Sequence, residues 1–218
     1  PRPQFEDRRG LLTALDQLDR QMEADGAIAA MDRYSQQAFD IILRGAADAF
    51  DLSKEDSKIV ERYDTSRFQV GKKLFHSSTL GRQLLLARRL CEAGCGFVTV
   101  QNAGWDMHAD VNNPGMASGM EMLGRPLDQA VSAFLEDVEA RGLSEKILLV
   151  ITGDFGRTPK INARGGRDHW ANLGTLALAG GGLKMGQVIG RSSRHAEDPA
   201  SDPITPQHLM ATIMHTLF

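Results

Sequence analysis

Residues 147–170 read ILLVITGDFGRTPKINARGGRDHW, and this stretch restricts the fold more than any other in the chain. A short apolar run, rich in branched residues, stops at Gly153-Asp154. That is the pattern of a buried strand that ends at a glycine and presents a carboxylate at the edge of a sheet. In open α/β sheets, sites form just beyond the carboxyl ends of strands. Four cations follow (Arg157, Lys160, Arg164 and Arg167), and then the pair Asp168-His169. A carboxylate, a basic loop and an Asp-His pair so close together suggest a metal and an anion meeting in one place.

The flanking pattern predicts an α/β fold with a mostly parallel sheet. Residues 97–101 (FVTVQ) read as an earlier strand. Residues 124–141 read as an amphipathic helix, with Leu127, Val131, Phe134, Leu135 and Val138 at helical spacing. Residues 146–152 follow as the second strand. A strand, a long helical crossover and another strand predict a parallel pair. Residues 175–179 read as a third strand, Gly180-Gly181-Gly182 as a tight turn, and 187–189 as a short return strand. Thr205 caps a last helix with Pro206 at its first position, where proline is welcome. So few strands imply a small sheet, or further strands on chain outside these residues.

The first third reads differently. Residues 1–9 form a polar arm with two prolines, and 10–23 and 28–43 carry apolar residues at helical spacing. Ser53 and Asp56 mark the start of a helix over 54–62. The division is therefore a helical lobe at 1–64, a connecting loop at 65–79, and an α/β portion at 80–218. That portion opens with a helix at 80–93, ended by Gly94 or Gly96.

Among the 218 residues the net charge is only -3, so wholesale attraction to nucleic acid is not expected. No run approaches the roughly 18 apolar residues of a membrane span, and no signal-peptide pattern is present. Cys91 and Cys95 lie one helical turn apart. A zinc knuckle needs more ligands, so they read as packing residues.

Metal-ligand types gather after two of the expected strands: Asp106 and His108 after the first, then Asp154, Asp168 and His169 after the second. Mixed carboxylate and imidazole ligands favour zinc or manganese, with iron also suited; an all-oxygen set would suit calcium or magnesium. Each residue has a plainer reading. Asp106 is a turn former, Asp154 a helix cap, and Asp168-His169 a hydrogen-bonded pair. Arg157 is the best anion-binding candidate, because a guanidinium matches phosphate or sulfate oxygens in a fork. Trp105 and Trp170 adjoin the candidate ligands and could wall a pocket, although core packing is the commoner fate of tryptophan.

At Gly104-Trp105-Asp106-Met107-His108, at residues 153–159 (GDFGRTP) and at residues 166–170 (GRDHW), the sequence resembles a large bacterial family of sulfatase-like proteins of unknown function, placed in the alkaline phosphatase superfamily. The resemblance covers nearly the whole chain. It implies an alkaline-phosphatase-like three-layer sandwich with an N-terminal helical lobe, a metal-dependent hydrolase of phosphate or sulfate esters or else a non-catalytic module binding a metal, an anionic glycan or a protein partner. It assigns Asp106, His108 and His169 to one metal. Asp154 would serve a second, but Phe155 stands where that site needs a ligand, so the second site is weakened or uses Asp168 instead. The family's nucleophile segment has no match in residues 1–64, so the chain resembles a C-terminal portion. The resemblance also implies export to the periplasm or cell surface. Nothing in the sequence sets an oligomeric state.

Overall fold

The computed structural model describes residues 47–73 and 75–218. The arm and the two helices expected within 1–43 lie outside the described residues. From Ala47 onward the order is α1 (Ala47–Phe50), a 3-10 turn (Leu52–Lys54), α2 (Ser57–Tyr63), β1 (Gln69–Val70), β2 (His76–Ser77), α3 (Leu80–Glu92), α4 (Met116–Ala140), β3 (Leu148–Ile151), β4 (Gly156–Arg157), β5 (His169–Trp170), β6 (Ala177–Gly180) and α5 (Pro206–Leu217). Among the described residues, no helix is long and apolar enough to cross a membrane.

The core follows from helical spacing. Leu80, Leu84, Leu85 and Ala87 fall on one face of α3 and are buried. On α4 the buried stripe runs Leu123, Ala130, Ala133, Phe134 and Val138. These faces pack together with Tyr63 of α2, and Ile147 just before β3 and Leu149 within it lean on the same cluster. Fully burying a leucine contributes about 1.5–3 kcal/mol, so this seam dominates the packing. The small residues Ala130 and Ala133 let α3 come close. A second cluster (Val70, Met107 and Leu123) sits nearer the start of α4 and seats the loop that carries Asp106 and His108.

Helix α4 begins eight positions before the expected residue 124. Pro126 imitates a first-turn proline in the sequence, yet the helix runs through it and buries it. The earlier turns form because Gly119 and Leu123 pack against Met107. Thr205 is the N-cap of α5 as expected, its backbone N–H donating to His208 Nδ1 at 3.0 Å. Residues 65–79 hold a short ladder, Gln69↔Ser77 and Val70↔His76, where no period is legible.

The parallel sandwich is not what forms. Among the described residues the sheets are three antiparallel pairs, β1-β2, β3-β6 and β4-β5, and helix predominates. Residues 97–101 make no strand and 187–189 no return strand. Strand β3 pairs antiparallel with β6, from Leu148↔Gly180 to Ile151↔Ala177. An apolar, branched run shows that a segment is extended and half-buried, but says nothing of its partner's direction. Here the partner arrives after a long loop that folds back through the β4-β5 ladder. Glycines 180, 181 and 182 all have positive φ (84°, 63° and 71°) and turn the chain after β6. The Gly181 N–H donates to Ser144 O and Ile147 O, tying that turn to the approach of β3.

Beneath the helices lies a buried ionic network. The Arg88 side chain, 1% exposed, donates to Asp137 Oδ2 at 2.8 Å, Glu92 Oε2 at 2.6 Å and Glu55 Oε2 at 2.5 Å. Arg141 spans Asp137 and Glu55 from the other side, and the Tyr63 hydroxyl donates to Asp137. Burial alone would push the Glu55 carboxyl up. Hydrogen bonds from Arg88 and Arg89, with the charges of Arg88 and Arg141, outweigh it and hold Glu55 at about 2, below its ordinary 4.5. A depressed carboxylate stabilises the fold above its unfolded value and loses that contribution as pH falls towards the folded one. The expected result is a loss of roughly 2 kcal/mol of unfolding free energy between pH 5 and pH 2 from this group, which Glu55→Gln flattens. Denaturant titrations across that window measure it. An equal slope in the variant would refute the assignment.

Candidate metal centre

The loop after residue 101 is pinned from below by Met107, 3% exposed, whose side chain lies against Gly119 of α4. Its neighbours Asp106 and His108 are left facing the other way. Trp105 braces the same loop, donating from its indole N–H to Asn102 Oδ1 at 2.8 Å and packing on the second core cluster.

The second wall is the β4-β5 ladder. Its register sets Arg157 directly opposite His169, and directly opposed residues share a face. The loop between these strands is stitched to the first wall: Arg167 N–H donates to Met107 O at 2.9 Å, and Asn162 Nδ2 to His108 O at 3.1 Å. The approach is so close that a Cβ on the buried Gly166 would collide with the backbone carbonyls of His108 and Met107. Arg167 is spent on this scaffold, donating to Thr158 O and Pro159 O. Trp170 points its indole N–H at Glu197 O.

The two walls bring together Asp106, His108 and His169, whose ligating atoms all lie within 4.8 Å of one another. His108 Nε2 and His169 Nε2 are 3.0 Å apart. Asp106 Oδ1 is 3.7 Å from the first and 3.5 Å from the second. This group can hold a metal ion. The neighbours of His108 settle its tautomer. Its Nδ1 faces the Asp168 carboxylate at 3.1 Å, which accepts only, while its Nε2 receives an Arg157 Nη1 N–H at 3.3 Å, which donates only. The proton therefore sits on Nδ1, and the Nε2 lone pair faces the centre, where Arg157 donates to it and where a metal ligand would offer it instead.

Charge balance is local. Arg157 Nη2 donates to Asp106 Oδ1, and that hydrogen bond holds the Asp106 carboxyl below the usual carboxylate range. Asp168 is also held low, first by the hydrogen bond from His108 and then by that from Asn162.

Of the six residues singled out from sequence, Asp106, His108 and His169 supply the converging atoms. Arg157 stands against two of them. Asp168 lies behind His108, on its Nδ1 side. Asp154 is outside the group: its carboxylate is exposed and accepts the Phe155 N–H at 3.0 Å. The Phe155 ring instead lies against His169, centroids 4.3 Å apart, with the Arg157 guanidinium over it. Asn162 is the participant that sequence reasoning missed. Its only local signal is an Asn four residues before Gly166, in a turn-forming stretch.

Fold and site together define a helix-rich protein with short antiparallel ladders, one of which meets the loop at 104–108 in a carboxylate–imidazole group that could hold a metal. The chain belongs to the family described as Protein of unknown function (DUF1501), whose model matches residues 1–218. No curated protein and no solved structure matches it. The family match carries no sulfatase or phosphatase assignment.

Proposed function

We propose that this chain carries a divalent-metal centre used in hydrolysis of phosphate or sulfate esters. The observation behind the reading is the convergence of two imidazoles and a carboxylate beside one guanidinium. Two nitrogens and one oxygen favour zinc or manganese over calcium or magnesium. A divalent ion held there would polarise an ester oxygen and offset the charge that develops on it. Asp106, His108 and His169 are the ligands. Arg157, adjoining Asp106 and His108, receives the anionic group in a fork. The nucleophile is assigned to no described residue.

A second reading has a specific observation behind it. Phe155 lies on His169, and Asp154 turns to the Phe155 backbone, so one ion is held rather than two. A one-ion centre also suits a non-catalytic module that grips an anionic glycan or a protein partner through metal and Arg157. Metal analysis of the purified chain, followed by phosphatase and sulfatase assays, separates the two. For the hydrolase, Arg157→Ala is expected to keep its metal and lose about 100- to 1000-fold in turnover, the scale of losing one charge-stabilising donor. Bound metal without turnover on any ester favours the module.

A further inference from the structure

We propose that Asn162 is a positioning residue for His108, acting through Asp168; this rests on the metal reading above. The Asn162 carboxamide is engaged at both ends. Its Oδ1 accepts the Arg164 and Gly166 N–H groups, each at 3.0 Å. Its Nδ2 donates to His108 O at 3.1 Å and to Asp168 Oδ1 at 3.2 Å. The partners dictate which end is which: backbone N–H groups only donate, and a carbonyl and a carboxylate oxygen accept.

Asp168 Oδ1 also receives His108 Nδ1. One amide group therefore touches His108 at its backbone and, through the carboxylate, at its ring. The imidazole is fixed at two points, and its Nε2 is aimed at Asp106 and His169. Outer partners of this kind set ring orientation and tautomer, and their loss costs about 10–100-fold in metal affinity. Asp168 is itself exposed and on a loop, so without the Asn162 donor its carboxylate is free to rotate towards solvent. The residue type follows from the contacts. Aspartate keeps an acceptor for the turn but sets a second carboxylate against Asp168 and the His108 carbonyl. Serine is too short to span both.

The same contacts would serve a merely structural brace of the loop, and Asn162→Asp separates the roles. It retains size and the acceptor for Arg164 and Gly166, loses the donors, and turns a second carboxylate on Asp168, which loosens the same support. Zinc, and cobalt as a spectroscopic stand-in, are titrated into the full chain. Asn162→Asp is expected to weaken the zinc Kd about 10–100-fold and to alter the cobalt absorption bands. Its metal-free melting temperature should stay within about 2 °C of the parent's, a shift that corresponds to no more than about 1 kcal/mol in a chain of this length. Asp168→Asn should weaken zinc comparably, and the double variant no more than the worse single one, because the two act in series. Unchanged zinc affinity in Asn162→Asp, or fully multiplicative losses in the double variant, overturns the proposal while the metal centre stands. Failure of the unmodified chain to bind zinc, manganese or cobalt overturns the metal reading itself. If Asn162→Asp does not fold, Asp168→Asn with unaltered zinc affinity and cobalt bands overturns it as well.

Discussion

Replacing His108 by alanine is expected to remove zinc or manganese binding at concentrations where the parent chain is saturated. The substitution deletes the Nε2 that lies 3.0 Å from His169 and 3.7 Å from Asp106, and strands Asp168 without its ring partner. Two remaining donors, one from an exposed carboxylate, cannot close a coordination shell that structural and catalytic sites build from three or four protein ligands. The loss should exceed the roughly 100-fold that removing an outer partner can cost. Asp154→Ala is the informative companion. Asp154 lies outside the converging group, so its removal should leave affinity within about threefold of the parent, well below the outer-partner range. Calorimetric titration reads both. Retained binding in His108→Ala, or a collapse in Asp154→Ala, would place the ion elsewhere.

The second large effect is on stability and lies away from the centre. Arg88→Ala is expected to cost about 3–5 kcal/mol, the range for breaking a buried charge network by removing one partner. The arginine is 1% exposed, and its partners Asp137 and Glu55 are 2% and 7% exposed. Truncation leaves both carboxylates facing less positive charge with little water to solvate them. Arg141 still reaches each, which sets the lower end of the range. The pair Arg62–Glu136 is a built-in control, since both side chains are largely solvated and exposed pairs contribute under about 1 kcal/mol. Denaturant unfolding should show a large drop in midpoint for Arg88→Ala and almost none for Arg62→Ala, with similar slopes. A cost below 1 kcal/mol for Arg88→Ala would mean that the network is water-filled in solution.

Much of the centre was legible because its residues come in short blocks. Asp106 and His108 flank a buried methionine, and Asp168-His169 follows a basic loop; residue chemistry alone nominates both. The same reasoning put Asp154 among the ligands, because a glycine-ended apolar run usually delivers its last polar residue to a site. The structure turns that carboxylate to its own neighbour's N–H. Asn162 escaped notice because an amide declares no function until its four partners are known, and one of those, the His108 carbonyl, comes from a distant segment.

What the sequence determined by itself is local. Helix α3 begins where its apolar spacing says and α5 where its cap says, since contacts three and four residues apart and a cap at the first turn need nothing distant. The tertiary structure alone decided the pairing of β3 with β6, the extension of α4 back to Met116, and the burial of Arg88. Strand direction, a helix start held by a methionine from another loop, and a guanidinium shared by three carboxylates all depend on which surfaces meet. Apolar periodicity is silent on that question. The opposition of Arg157 and His169 belongs to the same group: it is a register, and a register exists only once two strands have found each other.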